Sequence, residues 1–366
     1  MMIGGHKEVP RMAESCDVVV IGGGQAGLAA GYYLRRAGLD YVILDAQSEP
    51  GGAWRHGWDA LRLFSPAEYS PLPGWGMPRQ DGEDFPTAEH VVDYLRAYEQ
   101  RYDLPVRRPV RVHSVRSMDE RLAVDTSADP WLARYIISAT GTWECPFVPD
   151  LPGRDAFAGR QLHTVDYTSP EAFRGQRVVI VGGGNSAAQI LAEVSRVADT
   201  TWVALRPARF MPDDVDGRVL FGVATRHAAA GAGGGVADLG DIVMVPSVRD
   251  ARDRGVLHAR PMFQRLTKRG VAWSDGTEQH CDAVIWCTGF RPNLAHLEPL
   301  GLRPSDGAVA TVGTRSVEEP RLYLLGYGDW TGTASATLVG AGRTAKATVA
   351  DIVGRLTERH GSNPVG

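Results

Sequence analysis

Three glycines near the N-terminus, Gly22, Gly24 and Gly27, have the spacing of a turn that binds a dinucleotide. In such a turn the first glycine permits the tight bend, the second lets the backbone approach a pyrophosphate, and the third lets the following helix lie close to the strand. Amide groups at the start of that helix then face the anion, and the helix dipole adds to the attraction. Gln25 and Ala26 complete the turn, which is therefore predicted to bind a dinucleotide cofactor.

A carboxylate stands where a bound adenosine needs one. Asp45 follows an apolar run at residues 41–44 and lies about 20 residues beyond the first glycine, where an acid accepts hydrogen bonds from a ribose. Ala46, which follows the acid, is assigned to the same site. Glycine clusters also form ordinary turns, so the three glycines alone are weak evidence. The acid at the expected distance makes the nucleotide interpretation the stronger one.

The same pattern recurs in the second half of the chain. Gly182 and Gly184 are followed by Asn185, Ser186 and Ala187, so alanine replaces the third glycine of the turn. Each copy also ends in a strand that closes on Thr-Gly. The closing residues are Ala139, Thr140 and Gly141 in the first copy, and Cys287, Thr288 and Gly289 in the second. Two nucleotide sites in one chain are needed when one cofactor reduces the other, and a flavin reduced by a nicotinamide is the usual pair.

The segments around both turns predict a strand, a tight turn and a helix in succession. A β-branched run at residues 18–21 precedes the first turn, and residues 28–36 have a helical apolar pattern after it. The second copy has a predicted strand at residues 177–181 and a predicted helix at residues 189–197. The predicted fold class is therefore α/β, with two doubly wound, Rossmann-like dinucleotide-binding domains.

The length of 366 residues and the order of the motifs define the expected domains. The FAD-binding domain is predicted to be discontinuous, formed by residues 1–152 and 283–366, and the NAD(P)H-binding domain, residues 153–282, is inserted between its two parts. Residues 1–13 are predicted to be a disordered lead. The active site is expected in the cleft between the domains, at the carboxyl ends of their strands.

Two further segments are expected to contact the flavin. Gly52 and Trp54 lie in a loop too rich in aromatic residues for a solvated linker, and such a loop packs either against the protein core or against an aromatic cofactor. Near the C-terminus, Gly328 keeps the backbone open and Asp329 follows a predicted strand. The Asp329 carboxylate is predicted to bind a ribityl hydroxyl of the flavin. The alternative is that it caps a turn.

Composition excludes several classes of function. Lys and Arg number 39 against 43 acidic residues, and a net charge of −4 gives no reason to expect a nucleic acid or a membrane as partner. The four cysteines include neither a CxxC pair nor a histidine-rich cluster, which argues against a metal site and against a redox disulfide. The N-terminus has no apolar signal segment, and no stretch is long enough for a membrane span. A cytoplasmic protein with reduced thiols is predicted.

A segment between the two glycine turns resembles a known fingerprint. Phe157, Gly159, His163 and Tyr167 have the FxGxxxHxxx[F/Y/W] spacing and lie just before the second turn. This pattern is similar to that of flavin-containing monooxygenases and Baeyer–Villiger enzymes, the class B flavoprotein monooxygenases. Because the segment ends in tyrosine, without the Trp-Pro or Trp-Asp typical of Baeyer–Villiger enzymes, it resembles the flavin-containing monooxygenase branch. Short bacterial members, including those named for arsenic-resistance operons, are the relatives it resembles.

The resemblance implies a reaction that depends on NAD(P)H and O2. NAD(P)H reduces FAD, the reduced flavin forms a C4a-(hydro)peroxyflavin with oxygen, and the retained NAD(P)+ shields it. One oxygen atom then passes to a soft nucleophile such as a thioether or an amine, or to a ketone in a Baeyer–Villiger oxidation. The implied partners are a small-molecule substrate and O2, and a homodimer is left open. The resemblance implies that the protein shields and orients the reacting groups and does not supply a catalytic acid or base.

The resemblance also assigns three residues to the active site. Phe64 aligns with an asparagine that, in larger members, holds the flavin peroxide and the nicotinamide. Because phenylalanine has no hydrogen-bonding group, we expect much of the consumed oxygen to leave as hydrogen peroxide. His163 is interpreted as a linker hinge that responds to nicotinamide binding, not as a general base. Tyr167 ends the same fingerprint.

The choice of nicotinamide cofactor is predicted from the end of the second strand in the second unit. Arg206 lies about 20 residues after Gly182, where an arginine pairs with the 2′-phosphate of NADPH and an acid would bind a 2′-hydroxyl. NADPH is therefore the first choice, with Arg209 as a second contact. NADH use stays open, because the alternative for Arg206 is an ordinary surface residue.

Two other functions stay open. The chief alternative is an NAD(P)H-dependent flavin reductase or oxidase that passes electrons to a quinone, a metal ion or O2 without oxygenation. Such an activity requires little beyond an accessible flavin edge. A disulfide reductase is disfavoured, because the sequence shows no cysteine pair for the flavin to reduce. The alternative outside enzymes is a flavin-holding redox sensor with negligible turnover, against which rapid oxygen-dependent oxidation of NADPH would count.

Overall fold

The computed structural model describes residues 13–213, 242–304 and 307–361, so residues 1–12 of the predicted disordered lead lie outside it. In chain order, its strands are β1 (Glu14–Ile21), β2 (Tyr41–Leu44), β3 (Val106–Arg107), β4 (Val112–Met118), β5 (Arg121–Thr126), β6 (Trp131–Ser138), β7 (Arg160–His163), β8 (Arg177–Val181), β9 (Asp199–Ala204), β10 (Ala259–Pro261), β11 (Arg265–Thr267), β12 (Gly270–Ala272), β13 (Glu278–His280), β14 (Ala283–Trp286), β15 (Thr311–Val312), β16 (Arg315–Ser316) and β17 (Leu322–Leu324). Its α-helices are α1 (Gln25–Arg36), α2 (Ala88–Arg101), α3 (Asn185–Val194), α4 (Pro246–Asp253) and α5 (Leu338–Gly361). None of these helices is long and apolar enough to cross a membrane.

The first sheet is built around β1. Its parallel neighbours are β2 on one side and β6 on the other, and β17 continues the sheet beyond β6 while β3 continues it beyond β2. Residues 18–21 of β1 are buried, as expected for a strand covered on both faces. Since β15, β16 and β17 come from the C-terminal part of the chain, this sheet is assembled from two separate segments.

The second sheet is parallel throughout and has the order β10-β9-β8-β14-β7. The central strand is β8, and β14 (Ala283–Trp286) pairs with β8 on one side and with the edge strand β7 on the other. The sequence prediction had placed residue 283 at the start of the returning FAD-binding part, and this boundary is wrong. The strand belongs to the inserted domain, because its buried side chains complete that domain's two core layers.

The predicted fold class is confirmed, since both of these sheets are α/β units built around parallel strands, with a glycine turn after β1 in the first and after β8 in the second. The main difference concerns α3, which was predicted at residues 189–197 but spans Asn185–Val194. It starts earlier because Gly184 is its N-cap, so the first helical turn begins directly at the glycine turn. Its early start directs free amide groups towards any anion bound there.

Candidate cofactor and active site

A cleft of about 440 Å³ opens at the carboxyl ends of the central strands of the first sheet. Doubly wound sheets bind ligands at this edge. The predicted cofactor-binding residues that line it are Gly22, Gly24, Gln25, Ala26, Asp45, Ala46, Gly52, Trp54, Ala139, Thr140 and Gly141. Gly27 does not line the cleft. A Cβ at Gly27 would lie 1.9 Å from the carbonyl oxygen of Gly22, so this glycine permits the close approach of helix and turn.

The first glycine of each turn lies against the strand that closes its own unit. Gly22 has φ +107°, and a Cβ there would lie 2.4 Å from the carbonyl oxygen of Ala139. Gly182 has φ +145°, and a Cβ there would lie 2.2 Å from the carbonyl oxygen of Cys287. Both positions therefore require glycine for conformation and for space. The recurrence of this contact shows that the two units repeat a backbone arrangement as well as a sequence pattern.

The middle glycine of each turn has no such protein neighbour. A Cβ at Gly24 would meet only the Cα of Gly52, at 3.9 Å, and a Cβ at Gly184 would meet nothing within 4 Å. Their φ angles, −80° and −111°, are ordinary for any residue. The protein itself therefore does not need glycine at these positions. The open space matches a cradle in which a pyrophosphate contacts the backbone, so both turns fit a dinucleotide.

Asp45 is held in the cleft by an arginine that the sequence analysis did not identify. Arg108 Nε lies 2.6 Å from Asp45 Oδ2, while Arg108 Nη1 lies 2.7 Å from Glu99 Oε1. A further contact joins Arg108 Nη2 to the carbonyl oxygen of Gly23 at 3.4 Å. Because the Arg108 and Asp45 side chains are 9% and 6% exposed, this ion pair is buried. The pair orients the carboxylate that was predicted to bind ribose.

Gln25 connects the first glycine turn to two other walls of the cleft. Its Nε2 donates to the carbonyl oxygen of Ala336 at 2.6 Å, and its Oε1 accepts from Trp54 Nε1 at 2.9 Å. Ala336 precedes α5, and Trp54 belongs to the aromatic loop. The side chain of Gln25 therefore fixes the relative positions of three segments around the cleft.

A buried polar cluster lies behind the closing turn of the first unit. Tyr327 Oη lies 2.6 Å from Ser138 Oγ and 2.7 Å from Thr140 Oγ1, and Ser138 Oγ lies 3.1 Å from His296 Nε2. Thr140 also donates to the carbonyl oxygen of Asn293 at 2.6 Å. Burial lowers the pKa of His296 to about 4, so this cleft-lining histidine is neutral at pH 7. The cluster fixes the closing turn from behind.

The second glycine turn is tied by a hydrogen bond to a segment distant in the chain. Asn185 Oδ1 accepts from the backbone amide of Val243 at 2.8 Å, and Ser186 and the buried Ala187 continue into α3. Arg206 follows β9 and is exposed, with no hydrogen bond or ion pair to any described residue. Its guanidinium is therefore available to an anion at the position where the sequence predicted a 2′-phosphate.

His163 connects the fingerprint segment to the closing turn of the second unit. Its Nδ1 accepts from the backbone amide of Val165 at 3.3 Å, so the proton resides on Nε2, which lies 3.0 Å from the carbonyl oxygen of Gly289. Burial lowers its pKa, which keeps the ring neutral. The same turn is fixed by Thr288 Oγ1, which donates to the carbonyl oxygen of Phe147. Both nitrogens of His163 are thus engaged by the protein.

Tyr167 contacts a carboxylate on α3. Its hydroxyl donates to Glu193 Oε2 at 2.9 Å, and Trp58 Nε1 donates to Glu193 Oε1 at 3.0 Å. Burial raises the pKa of Glu193. Trp58 comes from the loop that lines the first cleft, yet it packs in the core of the second domain. Tyr167 therefore lies at a contact between the two domains.

Phe64 also lies at the contact between the domains. It is half-buried and packs against Met211 and Val243 of the second domain. Because Val243 donates its backbone amide to Asn185, this apolar contact joins the loop after Trp58 to the second glycine turn. Phe64, His163 and Tyr167 do not line the cleft of the first sheet.

Asp329 does not line the cleft either. Its side chain is exposed, and its Oδ1 accepts from the backbone amide of Ala334 at 3.2 Å. This is the turn-capping alternative of the sequence analysis, and Gly328 before it has φ +97°, which favours glycine. In this part of the chain the cleft wall is formed by Leu325, Gly326 and Ala336 instead.

Several cleft residues had no sequence signal. They lie far apart in the chain and meet only in the fold; these residues are Gly23, Gln47, His56, Arg111, His113, Trp143, Glu144, Asn293 and His296. The aromatic ring of Trp143 stacks with that of His56, with centroids 6.1 Å apart, and with that of Phe290, at 5.4 Å. Phe290 in turn packs edge-on against His163 at 5.0 Å. An aromatic row thus runs from the cleft to the fingerprint segment.

The chain is similar to several known oxidoreductases. Residues 19–218 match the pyridine nucleotide-disulphide oxidoreductase family. The flavin-containing monooxygenase from Stenotrophomonas maltophilia has a TM-score of 0.87 and 53% identity, over 94% of this chain and 99% of that one. The uncharacterised oxidoreductase CzcO-like of Geobacillus kaustophilus is 28% identical, over 93% of this chain and 99% of its own. Indole-3-pyruvate monooxygenase YUCCA1 of Oryza sativa subsp. japonica is 26% identical, over 84% of this chain and 86% of its own.

Proposed function

The chain belongs to the pyridine nucleotide-disulphide oxidoreductase family and, within it, to the flavin-containing monooxygenases, and on this premise we propose that it transfers one atom of O2 to a soft nucleophile. Its cofactors are FAD and NADPH. In the balanced reaction NADPH, a proton, O2 and the substrate give NADP+, water and the oxygenated substrate. The proposal includes the route through a C4a-(hydro)peroxyflavin and takes a thioether or an amine, and also a ketone, as substrate.

The two glycine turns divide the binding of the cofactors between them. In the proposal the first cleft binds FAD, with the turn at Gly24 against the pyrophosphate and Asp45, oriented by Arg108, on the adenosine ribose. The turn at Gly184 binds NADPH, with Arg206 on its 2′-phosphate. When bound, the flavin supplies hydride acceptance and oxygen activation, which no side chain can provide.

The protein side chains contribute position and exclusion of water. Trp54 and Gln25 keep the aromatic loop against the first turn, and the neutral His163 keeps the fingerprint segment against Gly289. Neither histidine nitrogen is free for proton transfer, so His163 is proposed as a linker contact and not as a general base. Phe64 presents an apolar surface at the junction of the domains.

One observation carries the proposal: a single chain contains two glycine turns with the same close approach to their closing strands, at Gly22 with Ala139 and at Gly182 with Cys287. Two dinucleotide sites are what a nicotinamide-dependent flavoprotein requires. The hydrogen bond from His163 to Gly289, between the fingerprint segment and the second closing turn, supports the monooxygenase branch.

The proposal is tested with FAD-loaded protein, NADPH, 18O2 and methyl p-tolyl sulfide. We expect labelled sulfoxide to form in proportion to NADPH oxidised, with the remaining oxygen recovered as hydrogen peroxide. Stopped-flow spectra of the reduced protein mixed with oxygen provide the second readout, since a transient quenched by the sulfide supports the C4a route. Sulfoxide without label, or none with any soft nucleophile, would reject the proposal.

A second function, NADPH oxidation with hydrogen peroxide as the product, is favoured by the apolar character of Phe64. Its ring packs on Met211 and Val243 and offers no hydrogen bond to an oxygen species. Stoichiometric peroxide in the experiment above would favour this oxidase function. Oxidation of NADPH that requires an added quinone or metal ion would instead favour a reductase.

A further inference from the structure

One carboxylate joins the two domains through hydrogen bonds to both of its oxygens. Glu193 Oε1 accepts from Trp58 Nε1 at 3.0 Å, and Glu193 Oε2 accepts from the Tyr167 hydroxyl at 2.9 Å. Trp58 and Tyr167 are 5% and 1% exposed, and their rings meet edge to face with centroids 6.2 Å apart. The carboxylate is therefore enclosed by one donor from the FAD-binding half and one from the fingerprint segment.

Trp58 belongs to the first domain by its position in the chain, but its side chain is buried in the second domain. It follows the short helix Gly52–His56, of which all residues but Arg55 line the first cleft. Its side chain nevertheless packs with Tyr167 and Ile190 in the core of the second domain. The next residue, Asp59, donates its backbone amide to the carbonyl oxygen of Thr168 at 3.0 Å. A single short segment therefore contacts the flavin site at one end and is anchored in the nicotinamide domain at the other.

Glu193 lies on the helix that starts at the second glycine turn. α3 begins at Asn185, and at 1.5 Å per residue Glu193 lies about 12 Å along it from the turn. Rigid secondary-structure elements carry displacements between sites, so a shift at Glu193 would move the second glycine turn, to which the proposed function assigns the nicotinamide nucleotide. The hydrogen bonds of Glu193 therefore couple the position of that turn to the position of the segment that lines the first cleft.

We propose that Glu193 is a positioning residue for hydride transfer: by accepting from Trp58 and Tyr167 it fixes the angle between the domains at which the nicotinamide meets the flavin. The inference rests on the proposed function only in taking FAD and NADPH as the reacting pair. In this step two electrons and one proton move as a hydride from the nicotinamide, which becomes NADP+, to the flavin. Glu193 contacts neither cofactor in this proposal.

The experiment is anaerobic stopped-flow reduction of FAD-loaded protein by NADPH, in the absence of both O2 and a molecule to be oxygenated. The variants are Glu193→Gln, which keeps the side-chain volume but cannot accept at both positions, and Trp58→Phe, which removes only the indole donor. We expect the limiting reduction rate to fall about tenfold in each, because small misplacements of reacting atoms cost one to two orders of magnitude. The NADPH dissociation constant is expected to change by less than about threefold, since the phosphate contacts are intact.

Trp273→Phe is the matched control. Trp273 is also buried and donates Nε1 to a carbonyl oxygen, that of Pro261 at 2.8 Å, but both residues lie within the second domain. We expect this variant to lose similar stability and to keep the wild-type reduction rate. The double variant of Trp58 and Glu193 should be no slower than either single variant, because both changes remove the same contact.

The outcomes separate this inference from the proposed function. If NADPH does not reduce the wild-type flavin, the proposed function fails. If the wild type is reduced but the Glu193 and Trp58 variants match it, the positioning inference fails and the proposed function stands. Equal slowing in Trp273→Phe would also overturn the inference, because general destabilisation would then explain the effect. Unchanged FAD content and normal reduction by dithionite verify that each variant is folded.

Discussion

Arg108 and Asp45 form a buried ion pair at the cleft of the first sheet, with Nε 2.6 Å from Oδ2 and both side chains less than one-tenth exposed. Glu99 accepts a second hydrogen bond from the same guanidinium, at 2.7 Å. The arginine lies behind the cleft and does not line it, whereas Asp45 does. The carboxylate that is predicted to bind a ribose is therefore oriented by a residue that does not line the cleft.

Replacing Arg108 by methionine is expected to weaken FAD binding and to lower stability. Removing one partner of a buried pair leaves an uncompensated charge and costs about 3 kcal/mol or more. We expect the FAD dissociation constant, measured by flavin fluorescence, to rise at least about tenfold, and urea unfolding at saturating FAD to report the loss of stability. Arg177→Met, which breaks the exposed pair with Asp282, is the control and should change both quantities little. Equal effects of the two variants would contradict a role for burial.

The sequence was sufficient for features encoded by local spacing. The glycine turns, their closing Thr-Gly segments and the α/β fold follow from patterns within a few residues, because backbone geometry dictates which residue types can occupy such turns. Asp45 was also predicted, since its distance from Gly22 is fixed by one strand–helix–strand unit. The role predicted for each of these positions depends on the backbone or on a single element, and the structure places Gly22, Gly24, Asp45 and Thr140 around one cleft.

Features that depend on contacts between distant segments were not predictable. Arg108 and Glu193 look like ordinary polar residues of a loop and a helix, and only the fold brings them to Asp45 and to Trp58. The domain boundary at residue 283 was misplaced for the same reason. β14 follows the antiparallel strands β12 and β13, and only strand pairing shows that it belongs to the parallel sheet of the inserted domain.

Arg206→Ala is expected to act on NADPH and not on NADH. Arg206 is exposed and has no hydrogen bond or ion pair to any described residue, so its removal should leave stability unchanged. Loss of a charged contact to a 2′-phosphate is worth about tenfold in affinity. Steady-state kinetics should therefore show the KM for NADPH rising about tenfold while the KM for NADH stays constant. An unchanged KM for NADPH would remove Arg206 from the cofactor site.

Phe64→Asn is expected to lower the ratio of hydrogen peroxide to oxygenated product. The amide would supply the hydrogen-bonding group that the phenyl ring lacks. Since Phe64 packs on Met211 and Val243, the substitution also removes apolar contact, and Phe64→Leu serves as the control that keeps an apolar side chain. Peroxide and sulfoxide are measured in the same reaction. A lower ratio in both variants would indicate that loosened packing, not the amide, is responsible.

His296 is expected to make stability depend on pH. Burial lowers its pKa from 6.5 to about 4, so the unfolded chain binds a proton that the folded chain does not. The contribution of His296 to the free energy of unfolding is therefore fully present above about pH 6.5 and is lost as the pH falls towards 4. Between pH 7 and pH 5 the loss is about 2 kcal/mol.

His296→Gln removes the titrating group and keeps a polar side chain near Ser138. We expect urea unfolding of this variant to lose about 2 kcal/mol less than the wild type between pH 7 and pH 5. His280→Gln, at an exposed histidine, is the control and should retain the wild-type difference. Identical pH dependence in wild type and His296→Gln would show that other groups control acid unfolding.

The two classes of glycine in the nucleotide turns provide the most direct test of what the turns bind. A methyl group at Gly182 would lie 2.2 Å from the carbonyl oxygen of Cys287 at φ +145°, so Gly182→Ala should destabilise the fold by about 2 kcal/mol or more. A methyl group at Gly184 meets no protein atom within 4 Å, so Gly184→Ala should fold with wild-type stability. The methyl group at position 184 would therefore occupy only space that a bound ligand needs.

Gly184→Ala is therefore expected to raise the dissociation constant of NADPH at least about tenfold, because the pyrophosphate can no longer reach the backbone, while FAD binding is unchanged. Gly24→Ala should show the reverse, losing FAD with its stability in the absence of FAD preserved. Calorimetric titration with each nucleotide measures both variants against the wild type. If Gly184→Ala instead weakened FAD binding and left NADPH untouched, the assignment of the two nucleotides to the two turns would have to be exchanged.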